Sequence, residues 1–77
     1  MLVVQCKMAR TALGLGLREL AALASVSPDT ISRLERGEKL KTSTVEHIKT
    51  TLENQGVEFI EENGGGPGVR LTKPSTG

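Results

Sequence analysis

The residues best suited to chemistry in this chain of 77 residues are Asp29, Ser32, Arg33 and Arg36, lying between a proline and a glycine. Their spacing of i, i+3, i+4 and i+7 gathers them on one face of a helix. Short polar groups beside two guanidinium forks suit base edges in the DNA major groove, where an arginine matches the two acceptors of guanine. The competing reading is a solvated face on which Arg33 pairs with Asp29 one turn earlier, a contact of about 0.2–0.5 kcal/mol. The two are compatible, with Asp29 orienting Arg33. Nothing else points to catalysis. There is no arguable Ser-His-Asp set or carboxylate pair, so no catalytic residue is assigned and no enzyme is expected.

Cys6 is the only cysteine and His47 the only histidine. A lone cysteine forms no internal disulfide, and two soft ligands far apart in sequence make no metal site. Cys6 reads as a small core hydrophobe, and His47 as an exposed helix residue. The run Gly64-Gly65-Gly66-Pro67-Gly68 lacks the strand-to-helix setting and the Lys-Ser/Thr ending of a phosphate-binding loop. No metal and no cofactor are expected.

The elements that must position the polar face are marked by local signals. Apolar residues from about Val4 to Leu13 repeat at helical spacing and stop before Gly14. Leu20, Ala21 and Ala24 share a face in a second helix, Leu17 to Ala24. Ser27 can cap a third helix and Pro28 fits its first position; that helix runs to about Glu35 and stops at Gly37, with Ile31 and Leu34 inward. The turn at Ser25-Val26-Ser27 joins these two helices, with Ala21 small where they approach. Ser43-Thr44-Val45-Glu46 reads as a capping box opening a fourth helix to Gln55, with Val45, Ile48 and Leu52 as its stripe and Gly56 as its end. Val57 to Ile60 and Val69 to Leu71 are strand-like runs around a Gly-rich connection, a hairpin pattern. The final Lys73 to Gly77 reads as a loose tail.

Length allows one small core, built without Trp or Tyr and with a single Phe. So small a core commonly needs a staple, and with no disulfide or metal in prospect self-association is the natural one. A lone two-stranded hairpin is marginal in water, so Phe59, Ile60 and Leu71 are expected to pack on the helices or on a second subunit. No apolar run approaches a membrane span, no membrane is expected as partner, and a lone thiol suits the cytoplasm. The net charge is only +1. The cations concentrate before Gly56, while Glu58, Glu61 and Glu62 follow it, a polarity compatible with nucleic acid.

From Val4 to Gln55 the chain resembles the phage-repressor/Cro-type (XRE) helix-turn-helix family. The resemblance is carried by Leu13-Gly14-Leu15, Glu19-Leu20-Ala21, Val26-Ser27, Thr30-Ile31-Ser32 and Leu34-Glu35-Arg36-Gly37, in order and without a gap. It implies a mainly α fold, a compact four-helix repressor-like helix-turn-helix domain over 1–56, to which the strand-like runs add a short C-terminal β-hairpin or strand segment over 57–77. It implies base readout at Ser27, Pro28, Asp29, Thr30, Ser32 and Arg33, and phosphate contacts at Arg36, Lys39, Lys41 and Thr42. Arg10 and Glu35 match a structural salt bridge of several relatives. The chain departs from the family pattern at Gly16, Leu17 and Pro28, where polar residues are usual. For Ser27 the cap is the first role and a DNA contact the second; Asp29 divides equally between supporting the helix dipole and accepting from cytosine. The implied function is that of a DNA-binding transcriptional regulator. Together with the small core this points to a homodimer on a two-fold or pseudo-two-fold operator, with Phe59, Ile60 and Leu71 as dimerisation residues through strand pairing and Phe59 as the best anchor. The alternative is an antitoxin-like or antirepressor-like module whose protein partner docks on the C-terminal segment.

Overall fold

Backbone groups left over at helix ends must find partners, and here neighbouring side chains and left-handed residues supply many of them. The computed structural model describes residues 1–62 and 64–72. Its elements are α1 Val3–Ala12, α2 Leu17–Ala24, α3 Pro28–Glu35, α4 Thr42–Asn54, β1 Val57–Ile60 and β2 Gly68–Leu71. The fold is mainly α with a short antiparallel hairpin, as expected. The tail expected over Lys73 to Gly77 lies outside the described residues.

Helix α1 begins one residue before the apolar pattern indicates, because Gln5 Oε1 accepts the Leu2 N–H at 2.8 Å. Past its end, Gly14 at φ +72° turns the chain so that the Leu15 N–H reaches the Arg10 carbonyl at 2.9 Å. Helix α2 lacks a capping side chain at Gly16, yet Glu19 Oε1 accepts the Gly16 N–H at 2.6 Å, which completes half of a capping box. Ser25 closes α2 at φ +57°, a left-handed conformation ordinarily left to glycine, and the Val26 N–H then bonds Ala21 O at 3.0 Å. Helix α3 starts as read, with Ser27 Oγ accepting the Thr30 N–H at 3.2 Å and Pro28 in the first position.

Helix α4 corrects the sequence reading. It opens at Thr42 with Lys41 as the N-cap and no side-chain cap bond. Ser43 is already helical, so the box expected from Ser43 and Glu46 does not form. Further along, Thr51 Oγ1 donates back to the His47 carbonyl at 2.9 Å.

Ala21 and Ala24 of α2 and Ile31 and Leu34 of α3 are all buried in one core cluster, where the two helices pack together. Cys6, Ala9, Leu20, Ile48, Leu52 and Val57 complete the core. In the hairpin Val57 pairs with Leu71 and Phe59 with Val69, and paired residues share a face. Phe59 and Val69 pack against the core, and Lys49 Nζ lies 5.9 Å from the Phe59 ring centroid. Ile60 is half-buried. Leu71 instead stays 52% exposed in the single chain; it stands at the open end of its face.

Buried Gln5 ties the hairpin to α1. Its Nε2 donates to the carbonyls of Ile60 and Gly68, both at 3.0 Å, from the two ends of one cross-strand pair. With Oε1 on Leu2, the amide is well satisfied. Gln5→Ala removes all three bonds, and leaving buried polar groups unpaired costs about 1–3 kcal/mol. A domain of this size should then melt roughly 5 °C or more below the parent, as followed by far-ultraviolet circular dichroism. An unchanged melting temperature would show that the amide is not what holds the hairpin.

Candidate nucleic-acid interface

The outward face of α3 and the segment after it form one surface. Left-handed Gly37, at φ +89°, lets the Glu38 N–H bond Arg33 O at 3.0 Å, and the chain then runs back past α3 to Lys41. Between them lies a concavity of about 450 Å³. Val26 and Leu40 line it and also pack on the core; Ser27, Thr30 and Arg33 face Lys39, Lys41 and Thr44. It therefore gathers three residues expected at bases with two expected at phosphates. Pro28, Asp29, Ser32, Arg36 and Thr42 lie outside it. Of these, Ser32 is half-buried and the others are exposed. Thr44 is read from sequence only as part of the capping-box pattern, not as a site residue.

Ser27 is engaged locally, its hydroxyl capping α3 and lying 3.0 Å from Thr30 Oγ1. The pairing of Arg33 is a correction. Its Nε bonds Glu38 Oε1 at 2.9 Å rather than Asp29. Arg36 joins the same carboxylate, Nη2 to Oε2 at 2.8 Å, while its Nη1 donates to Ser32 Oγ at 3.0 Å. Hydrogen bonds from Arg36 and then Arg33 hold the Glu38 carboxyl below the usual carboxylate range. Sequence reasoning missed Glu38 because helical periodicity stops at Gly37, and a contact five residues on depends on how the chain turns there. Among the described residues, neither Nη nitrogen of Arg33 has a protein partner.

Behind this surface, α3 is braced against α1. Arg10 Nε and Nη2 bond Glu35 Oε2 and Oε1 at 2.8 and 3.0 Å, and Nη1 donates to Leu15 O at 3.0 Å. The two side chains are only 16% and 9% exposed. Cys6 Sγ lies 3.7 Å from the same carboxylate. Burial first, and then the Glu35 charge, push its thiol up to about 12; so protonated a thiol is a poor nucleophile. His47 has a structural contact that sequence did not suggest, its Nε2 lying 2.8 Å from Ala24 O at the end of α2.

Two helices joined by a left-handed turn, the second presenting a polar, arginine-bearing face, define a helix-turn-helix domain. Comparison with protein families agrees. Residues 2–58 match the helix-turn-helix domain, a family of the XRE/Cro-like type, and the chain belongs to it. Comparison with curated proteins returns no match. Membership makes the chain a DNA-binding domain of the kind found in regulators, a class that is typically non-enzymatic. Among the described residues no helix is long and apolar enough to cross a membrane.

The Arg10–Glu35 pair holds α3 without belonging to its outward face. Removing one partner of a mostly buried pair strands the other charge, at a cost of about 3 kcal/mol. Arg10→Ala should therefore show a much lower denaturant midpoint, with any affinity loss following the unfolded fraction. A variant as stable as the parent that no longer bound DNA would place Arg10 at the nucleic acid instead.

Proposed function

We propose that the protein is a sequence-specific transcriptional regulator that inserts α3 into the major groove of a two-fold or pseudo-two-fold operator as a homodimer. The observation that carries this reading is Arg33 on the outward face of α3: among the described residues neither of its Nη nitrogens has a partner, and it lines one concavity with Lys39 and Lys41. Arg33 reads guanine, with Ser27, Pro28, Asp29, Thr30 and Ser32 as its neighbours at the base edges. Arg36, Lys39, Lys41 and Thr42 hold the phosphates that fix register, a role that carries no sequence information of its own. The lone thiol suits the cytoplasm, where such a regulator meets its DNA.

Dimerisation is supported by a second surface. Val4, Met8 and Val69 line an apolar depression of about 420 Å³ between α1 and β2. Val4 is 51% exposed, Met8 37%, and Leu71 is open as well. This face and Leu71 form the dimer contact, with Phe59 and Ile60 of β1 as the further dimerisation residues. A single reading helix spans few base pairs, and two copies about one DNA turn apart supply the specificity.

Two measurements test these roles. Against a site selected from random duplexes, Arg33→Ala should cost about 1–3 kcal/mol and relax one base position, whereas Lys41→Ala should weaken all sequences alike and reduce the salt slope by about one. If no site is selected, the regulator reading fails. In sedimentation the parent should be dimeric at micromolar concentration and Met8→Glu monomeric, and a monomeric parent would remove the homodimer.

A further inference from the structure

The Glu38 carboxylate is shared by two arginines of the reading surface. The backbone fixes where it stands: Gly37 N–H bonds Leu34 O and Glu38 N–H bonds Arg33 O, both at 3.0 Å. One oxygen takes Arg33 Nε and the other Arg36 Nη2. The two arginines are used differently. Arg33 gives Glu38 only its inner nitrogen, and among the described residues its terminal fork has no partner. Arg36 has one terminal nitrogen on Glu38 and the other on Ser32 Oγ, so its fork is occupied before DNA arrives.

We propose that Glu38 is a positioning residue for base readout, which presets the Arg33 fork and withholds Arg36 from indiscriminate phosphate binding. This rests on the regulator reading above. Exposed ion pairs add little to stability, and both partners here are open to solvent, Arg33 42% and Glu38 44% exposed. Orientation is where the carboxylate acts. A long side chain already held in one rotamer loses less freedom on binding, and a planar fork held at a set angle favours one base edge over the others. The negative charge also opposes phosphates arriving out of register, which lowers non-specific affinity.

Glu38→Gln keeps the shape, removes the charge and leaves one acceptor where two arginines need two. The experiment compares parent and Glu38→Gln on the duplex selected by the parent, its single-base variants and a scrambled duplex, at two salt concentrations, with thermal melting alongside. The expected result is an unchanged melting temperature and several-fold tighter binding to scrambled DNA with a steeper salt dependence. Discrimination at the base read by Arg33 should fall several-fold, and Glu38→Asp should restore part of it. If Glu38→Gln tightens binding to every duplex equally and keeps the base preference, Glu38 acts by charge alone and the positioning role is overturned. Unchanged binding overturns it as well. A parent without base preference would instead sink the regulator reading, and the inference with it.

Discussion

Arg10 crosses from α1 to the inner side of α3, where its guanidinium meets both oxygens of Glu35 and the Leu15 carbonyl. One planar group thereby holds α1, the loop that follows it and α3, 25 residues further on. Such a pair adds little net energy compared with a well-packed apolar replacement, because both charges are taken out of water. Its contribution is geometric. With Glu35 held inward, the helical repeat fixes the rotation of α3, so Asp29, Ser32, Arg33 and Arg36 face outward. Ile31 and Leu34 turn in with it, and the close approach at Ala21 and Ala24 follows.

Local chemistry makes much of this legible in the sequence. Ser27 and Pro28 specify a helix start through a hydroxyl and a fixed φ, both of which act within four residues. The bounds of α2 and α3 follow from such signals. The start of α4 did not, because its capping pattern competed with a helix that Lys41 already opens. Gln5 was also opaque: on a helical pattern it is one more polar residue, and only the returning hairpin makes it buried. The contact between His47 and Ala24 is invisible for the same reason, joining residues 23 apart.

On the outward surface of α3 the division is similar. The outward face of α3 follows from periodicity, which places Arg33 and Arg36 without reference to the rest of the chain. What those arginines touch does not follow from it. An i, i+4 rule offers Asp29 to Arg33, yet the chain turning at Gly37 brings a carboxylate that engages two guanidinium groups at once. The concavity beside α3 likewise depends on the path from Lys39 to Thr44, which no repeat in the sequence encodes.

The amide of Gln5 has a consequence for how the chain assembles. Its partners Ile60 and Gly68 lie 55 and 63 residues away, whereas α2 and α3 meet across a turn of three residues. Closing a long loop costs chain entropy that a short one does not, and non-local contacts slow folding. Assembly therefore has a direction. The helix pair condenses early on contacts close in sequence, and docking of the hairpin onto α1 completes the molecule. Until then the Ile60 and Gly68 carbonyls lack the Gln5 amide that later takes them up, so the interval before docking is when that end of the hairpin is most open to a donor from another copy of the chain.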